Sequence, residues 1–157
     1  MTQSAKMRGC LKILQENSQA FLVAWSPLTV KQFQDFFHEH TNREPNITLA
    51  SYLNATSGKV YFLEHHPRLS KEQAMFKAIG LKEAVFLNAM DDPLMQAFNS
   101  ARMINMMERM GVKEDEIIQH TMITKSIANA QKKLDEHGAI SRLPPEIREW
   151  AESVKDY

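Results

Sequence analysis

Mostly apolar runs, each bounded by residues that favour turns, divide the first half of the chain. The runs are Ala20–Trp25, Ile47–Leu53, Lys59–Leu63 and Glu83–Leu87. A short run without regular polar alternation is typical of a strand buried on both faces, as in parallel sheets. We therefore predict one parallel sheet whose core includes Phe21, Val23, Leu49, Phe62 and Phe86.

Amphipathic segments separate these runs. Their three- and four-residue apolar spacing predicts helices over Ser4–Gln15, Val30–His40 and Ser70–Ile79, the last with Ser70 as its cap. Strands that alternate with helices favour a parallel sheet with crossover connections. The predicted fold class is therefore α/β, a small parallel sheet flanked by helices.

Helical spacing dominates the rest of the chain. One helix is predicted from Pro93 to Gly111, a second from Glu116 or Thr121 to His137, and a third from Leu143 to Tyr157. The first carries an apolar stripe, Leu94, Phe98, Ala101, Ile104, Met107 and Met110. We expect an α/β domain at 1–90 and a helical segment at 91–157, packed together as one structural unit.

Two segments of this helical part carry a family resemblance. The sequence DDPLMQAFNSARMINMMERMG (91–111), followed by IIQHTMITKSIANAQKKLDE (117–136), resembles the preprotein translocase ATPase SecA. The similar segment there leaves the second nucleotide-binding domain and enters the helical scaffold. The resemblance covers about a third of the chain, and a weaker likeness extends it to Gln19–His137. It implies that the predicted sheet is RecA-like.

The same resemblance identifies nucleotide-binding residues that this chain lacks. An ATPase of this type needs a glycine loop around the phosphates, an acidic magnesium partner and arginines. No G-x-x-x-x-G-K-[ST] motif occurs, and the family's arginine positions correspond to Phe76, Ala78 and Leu81. Residues 53–58, which align with a second nucleotide motif, carry no charge. We therefore expect no enzyme activity, no catalytic residues and no cofactor.

Composition argues against several function classes. Lysine plus arginine equals aspartate plus glutamate at 19 each, so no overall charge favours nucleic acid or a membrane surface. Cys10 is the only cysteine in the sequence, which fits a reducing compartment. The N-terminal pattern is that of an amphipathic helix rather than a signal peptide. We expect a cytoplasmic protein, with delivery to another cell without a classical signal peptide as the alternative.

The segment Glu64-His65-His66 contains residue types that bind metals. Adjacent side chains at a strand end point to opposite faces, and no third ligand stands at a helpful spacing. In the SecA resemblance, Glu64 and His66 match an E-x-H pattern after the same strand. We therefore expect these residues to have a structural role and to hold no metal.

Methionines crowd around the first C-terminal helix, where their flexible side chains are suited to an adaptable contact surface. Core filling is the alternative, and Met103 and Met107 fit the buried stripe. In SecA the similar helices lie against other elements of the same chain, so we expect the corresponding surface here to bind a protein partner or a second copy. The expected contact residues are Met106, Ile117, Ile118 and Met122.

These patterns favour a non-catalytic SecA-like protein-interaction module, acting as a regulator, an adaptor or a secreted bacterial effector. The alternative is a subunit that completes a nucleotide site or a translocase-type ATPase on another chain. A site that arose after loss of the ATPase motifs is a third hypothesis.

The first prediction concerns ATP. Because the phosphate-binding loop and the arginines are absent from the sequence, titration with magnesium ATP should release no heat of binding in a calorimeter. A dissociation constant in the micromolar range would contradict it.

Overall fold

A computed structural model describes residues 2–54, 59–98, 100–113, 121–137 and 139–153. Its four strands are β1 (Phe21–Ala24), β2 (Ile47–Leu49), β3 (Val60–Phe62) and β4 (Val85–Phe86). Its α-helices are α1 (Gln3–Glu16), α2 (Pro27–His40), α3 (Leu69–Ile79), α4 (Pro93–Ala97), α5 (Ser100–Arg109), α6 (Thr121–His137) and α7 (Pro145–Ser153). Two single 3-10 turns lie at Ala50–Tyr52 and Ala139–Arg142. Within the described ranges, every helix is too short or too polar to cross a bilayer.

The four strands form one parallel sheet in the order β2-β1-β3-β4. Alternating side chains of β1 face two different layers. Leu22 and Ala24 pack with Phe33 and Phe37 of α2 and with Cys10 of α1. On the other face, the core contains Val23, Trp25, Val60, Phe62 and Met75. The predicted α/β class, a small parallel sheet flanked by helices, is therefore confirmed, while the RecA-like assignment stays a prediction.

The predicted core side chains are not equally buried. Val23 and Phe62, in the two central strands, have no exposed surface. Phe21, Leu49 and Phe86 are only partly buried, although Phe21 and Phe86 still pack against the core cluster that contains Val23 and Phe62. Leu49 and Phe86 lie in the edge strands β2 and β4, which have a neighbouring strand on one side only, and Phe21 is the first residue of β1.

The strands are also shorter than predicted. The expected strand over Ile47–Leu53 ends at Leu49, and a 3-10 turn follows. Its pairing partner β1 is only four residues long, because Ser26 and Pro27 begin α2 immediately afterwards. The Ser26 hydroxyl accepts a hydrogen bond from the Leu28 N–H, and proline fits the first helical position, so α2 begins before the predicted Val30.

The prediction of one helix from Pro93 to Gly111 is also wrong. The structure has two helices, α4 and α5, with Asn99 between them outside the described residues. Asparagine and serine are residue types that hydrogen-bond locally and favour helix ends, and the sequence places them together at 99 and 100. Met103 and Met107 are buried as expected, but Met110 is 43% exposed because it lies beyond the end of α5.

The N-terminus of α3 has a cap that the sequence pattern did not reveal. Ser70 does not cap the helix, which begins at Leu69. Instead the Ser70 N–H and hydroxyl both donate to the Asp135 carboxylate of α6, at 2.8 and 2.7 Å. A carboxylate near a helix N-terminus is favourable to the helix dipole, so this contact stabilises α3 and holds α6 against it.

The last helix packs on both parts of the chain. Ile147 and Ala151, on one side of α7, are buried. Trp150 contacts the apolar cluster beneath the sheet and also the cluster that contains Leu94 and Ile140. The proposed division at residue 90 stays a prediction.

The fold leads to a prediction about core packing. Replacing Phe62 by Ala removes a fully buried ring that contacts Trp25, Phe76 and Phe86, and should lower the free energy of unfolding by about 3–5 kcal/mol. Phe86→Ala should cost less, because its ring is partly exposed.

Chemical denaturation of each variant measures these values. Tyr52→Ala is the control, because Tyr52 is 71% exposed and its loss should change stability by less than about 0.5 kcal/mol. A cost for Phe62→Ala below about 1 kcal/mol would contradict the described core.

Candidate functional site

The carboxyl ends of three strands meet at one edge of the sheet. Ser26, Glu64 and Asn88 follow β1, β3 and β4 within two residues and line a cleft of about 720 Å³. The strand order reverses here, because β2 and β3 lie on opposite sides of β1. In open parallel sheets such a switch point is the usual position of a ligand site.

Glu64 occupies the N-terminus of α2. Its carboxylate accepts hydrogen bonds from the Trp25 and Ser26 N–H groups at 3.0 and 2.7 Å, and from the Thr29 hydroxyl at 2.7 Å. Burial raises the pKa of Glu64, while the hydrogen bonds from Thr29 and Ser26 act in the opposite direction. A side-chain carboxylate therefore already occupies the place where a helix N-terminus would attract an external anion.

A buried ion pair lies beside Glu64. The Lys6 ammonium of α1 donates to both Asp92 oxygens at 2.8 and 2.6 Å, and to the Leu63 carbonyl at 2.9 Å. Asp92 also accepts from the Ala89 N–H at 2.9 Å. Burial raises the pKa of Asp92, and Lys6 opposes this shift. Asp92 directly precedes α4, but its side chain binds Lys6 instead of capping the helix.

Sequence reasoning did not identify Lys6 as a buried residue. The available signal was its place in α1, one turn before the apolar Cys10, so that a cation falls on the buried side of an amphipathic helix. Its partner is 86 positions away, and helical spacing contains no information about such a pair.

The segment Glu64-His65-His66 does not converge on one point. Glu64 faces α2, whereas His65 Nδ1 lies 3.0 Å from Glu72 and its ring stacks on Phe86. The ring of His66 accepts a hydrogen bond from the Arg68 N–H at 2.9 Å. Among the described residues, no group of three or more His, Cys, Asp or Glu is arranged to hold a metal ion.

His66 is fully buried where the sheet meets the helical segment. Its ring lies at steep angles, 70° and 84°, to the rings of Trp25 and Trp150, with centroids 5.0 and 5.5 Å away. Its carbonyl accepts a hydrogen bond of 2.7 Å from the amide of Gln131, a buried residue of α6. Burial lowers the pKa of His66 to about 4, although the Arg68 and Ala151 backbone groups favour the charged ring. His66 is therefore a neutral structural residue near pH 7.

A second cleft, of about 890 Å³, lies between α5 and α6. Met106 and Met122, two of the predicted contact residues, line it together. Met106 is half-buried, and Met122 is 56% exposed. Arg109 and Lys133 also line this cleft, and no described lining residue is acidic. The other two predicted contact residues, Ile117 and Ile118, lie outside the described residues.

The comparisons with known proteins concern about a third of the chain. Over 54 residues the chain is 52% identical to protein translocase subunit SecA of Chlorobium limicola. The matched residues make up 34% of this chain and 5% of that protein. Over 52 residues it is 50% identical to the SecA subunit of Christiangramia forsetii. This match covers 33% of this chain and 5% of that relative. No protein-family model and no solved structure matches the chain.

These matches confirm the resemblance to SecA over a third of the chain. The chain spans only 5% of the length of the relatives that it matches. Since the matched segments are no longer than 54 residues in the relatives described above, the weaker likeness over Gln19–His137 stays a prediction.

The burial of His66 predicts a pH dependence of stability. The folded protein keeps His66 neutral down to about pH 4, whereas an unfolded chain protonates it near its ordinary pKa of 6.5. The folded state therefore binds fewer protons in this range, and the His66 contribution to stability is lost as the pH falls from 6.5 to about 4. The loss amounts to about 3 kcal/mol.

The measurement compares urea unfolding of the parent and of His66→Asn at pH 7 and pH 4. The comparison is needed because Glu64 and Asp92, whose pKa values are raised, change stability in the opposite direction as the pH falls. His40→Asn is the control, since His40 is exposed. Equal pH dependence in the parent and in His66→Asn would contradict the assignment.

Proposed function

We propose that this protein is a non-catalytic SecA-like interaction module, and that the cleft between α5 and α6 binds its protein partner. The observation that supports this most is the position of Met106 and Met122 on the same cleft. Methionine side chains adjust to different partner shapes, so a cleft lined by them is suited to an apolar partner surface.

The charge of this cleft indicates the kind of partner. Arg109 of α5 and Lys133 of α6 lie along an otherwise neutral lining. A partner with apolar side chains flanked by Asp or Glu would bury the methionines and pair with both cations. An amphipathic acidic helix meets this requirement, because helices commonly bind in apolar grooves of other proteins.

Contacts at the carboxyl edge of the sheet argue against nucleotide binding. A phosphate at the N-terminus of α2 would compete with the Glu64 carboxylate for the same donors. Phe76, one of the positions that correspond to family arginines, packs its ring against Phe62 at 5.4 Å. These contacts favour a role as regulator, adaptor or bacterial effector over completion of a nucleotide site on another chain.

The proposal predicts the effect of charges in the α5–α6 cleft. Introducing aspartate at both Met106 and Met122 should remove the partner, because two carboxylates would be desolvated in a cleft made for apolar contact. Tagged parent and variant proteins would be used to isolate partners from native host extracts, followed by quantitative mass spectrometry.

Met110→Asp is the matched control. Met110 is an exposed methionine next to the same helix, but it does not line the cleft. Light scattering of the same samples distinguishes a second copy from a different partner. If the double variant and the control recover the same proteins in the same amounts as the parent, the cleft is not the contact surface.

A further inference from the structure

The cleft at the carboxyl edge of the sheet combines an apolar floor with an acidic rim. Its apolar lining comes from α1, α2, α4 and α7, and includes Met7, Leu28, Phe36, Met95, Ile147 and Trp150. Six carboxylate residues line it as well, Asp35, Glu39, Glu64, Asp91, Asp92 and Glu146. No lysine or arginine is among the described lining residues.

Three of these carboxylates hold parts of the fold together. Glu64 and Asp92 are directed to Thr29 and Lys6, and Asp91 accepts a hydrogen bond of 2.7 Å from the Gln3 N–H. Asp91 is nevertheless exposed, as are Asp35, Glu39 and Glu146, and these four come from α2, the segment before α4, and α7. They therefore surround the cleft from several elements instead of forming one local run.

The two carboxylates that α2 contributes to the rim, Asp35 and Glu39, repel each other. Asp35 and Glu39 stand four positions apart, so their charges face each other along the helix. Glu39 also lies in the last turn of α2, where the helix dipole disfavours an anion. Lys31 pairs with Asp35 at 2.7 Å, but both side chains are exposed and such pairs contribute little.

Apolar surface is exposed beside this rim. Leu28, in the first turn of α2, is 56% exposed and lines the cleft. Asn88 contributes a polar atom, because its buried Oδ1 has no hydrogen-bond partner among the described residues. An N–H group of an occupant would satisfy that acceptor.

We propose that this cleft binds a basic amphipathic segment of a partner protein, whose leucine-like side chains cover the floor and whose lysines or arginines pair with the rim. The volume, about 720 Å³, accommodates a few side chains and not a folded domain. The cleft shares no lining residue with the α5–α6 cleft, so the two contacts are independent. The rim charge also disfavours nucleotides and other anions.

Fluorescence anisotropy with a short fluorescein-labelled peptide of leucine and lysine, patterned as an amphipathic helix, tests the proposal. The peptide should bind the full chain at low ionic strength, and more weakly as salt is added. Glu39→Gln combined with Glu146→Gln should weaken binding about five- to tenfold, the effect of losing two exposed ion pairs. Leu28→Ser should also weaken it, because the floor loses apolar contact.

The matched control is Glu44→Gln combined with Glu149→Gln. It removes the same number of charges at exposed residues outside the cleft, and Glu149 lies on the same helix as Glu146. Control peptides replace lysine by glutamate, or leucine by serine. Met106→Asp with Met122→Asp should leave peptide binding unchanged, which separates this proposal from the one for α5 and α6.

Several results would overturn the proposal. They are absence of binding at low salt, equal weakening by the two pairs of Glu→Gln substitutions, or equal binding of either control peptide. Displacement of the peptide by an equal concentration of spermidine would assign the rim to small polyamines and would also overturn it.

Discussion

The buried ion pair between Lys6 and Asp92 connects the parts of this fold that are distant in the sequence. It joins α1 to the start of α4, and the same ammonium holds the Leu63 carbonyl at the end of β3. Each partner depends on the other, because removing one member of a buried pair leaves an uncompensated charge at a cost of about 3–5 kcal/mol. At the carboxyl edge of the sheet, Lys6 and Asp92 therefore bind each other instead of an external ligand.

Glu64 is another polar residue at this edge that binds other parts of the fold. It supplies the hydrogen-bond acceptor at the N-terminus of α2, and the neutral ring of His66 lies against two tryptophans. Polar residues after parallel strands often serve ligands, but here they bind one another and the neighbouring helices. Two clefts lie beside these contacts, one above this edge and one between α5 and α6, and their charged residues differ in sign.

Local pattern was sufficient to identify the strands of the sheet and its flanking helices to within a few residues, because apolar runs and helical spacing act over short distances. Local pattern was insufficient where the partner of a side chain or of a helix end is a residue distant in the sequence. The pairing of Lys6 with Asp92 and the capping of α3 by Asp135 connect positions more than 60 residues apart. Leu49 and Phe86 show a related limit, since an apolar run does not reveal which strand becomes an edge. The resemblance to SecA, in contrast, was carried by two neighbouring segments, 91–111 and 117–136, and Met106 and Met122 of these segments do line one cleft.

The central claim is that a protein partner occupies the cleft between α5 and α6, and site-specific crosslinking in the native host tests it most directly. A photoreactive phenylalanine analogue placed at Met122, which lines the cleft, should give a discrete crosslinked product. The same analogue at Met110, which does not line it, should not give that product. Identical products from both positions, or none from Met122, would contradict the account.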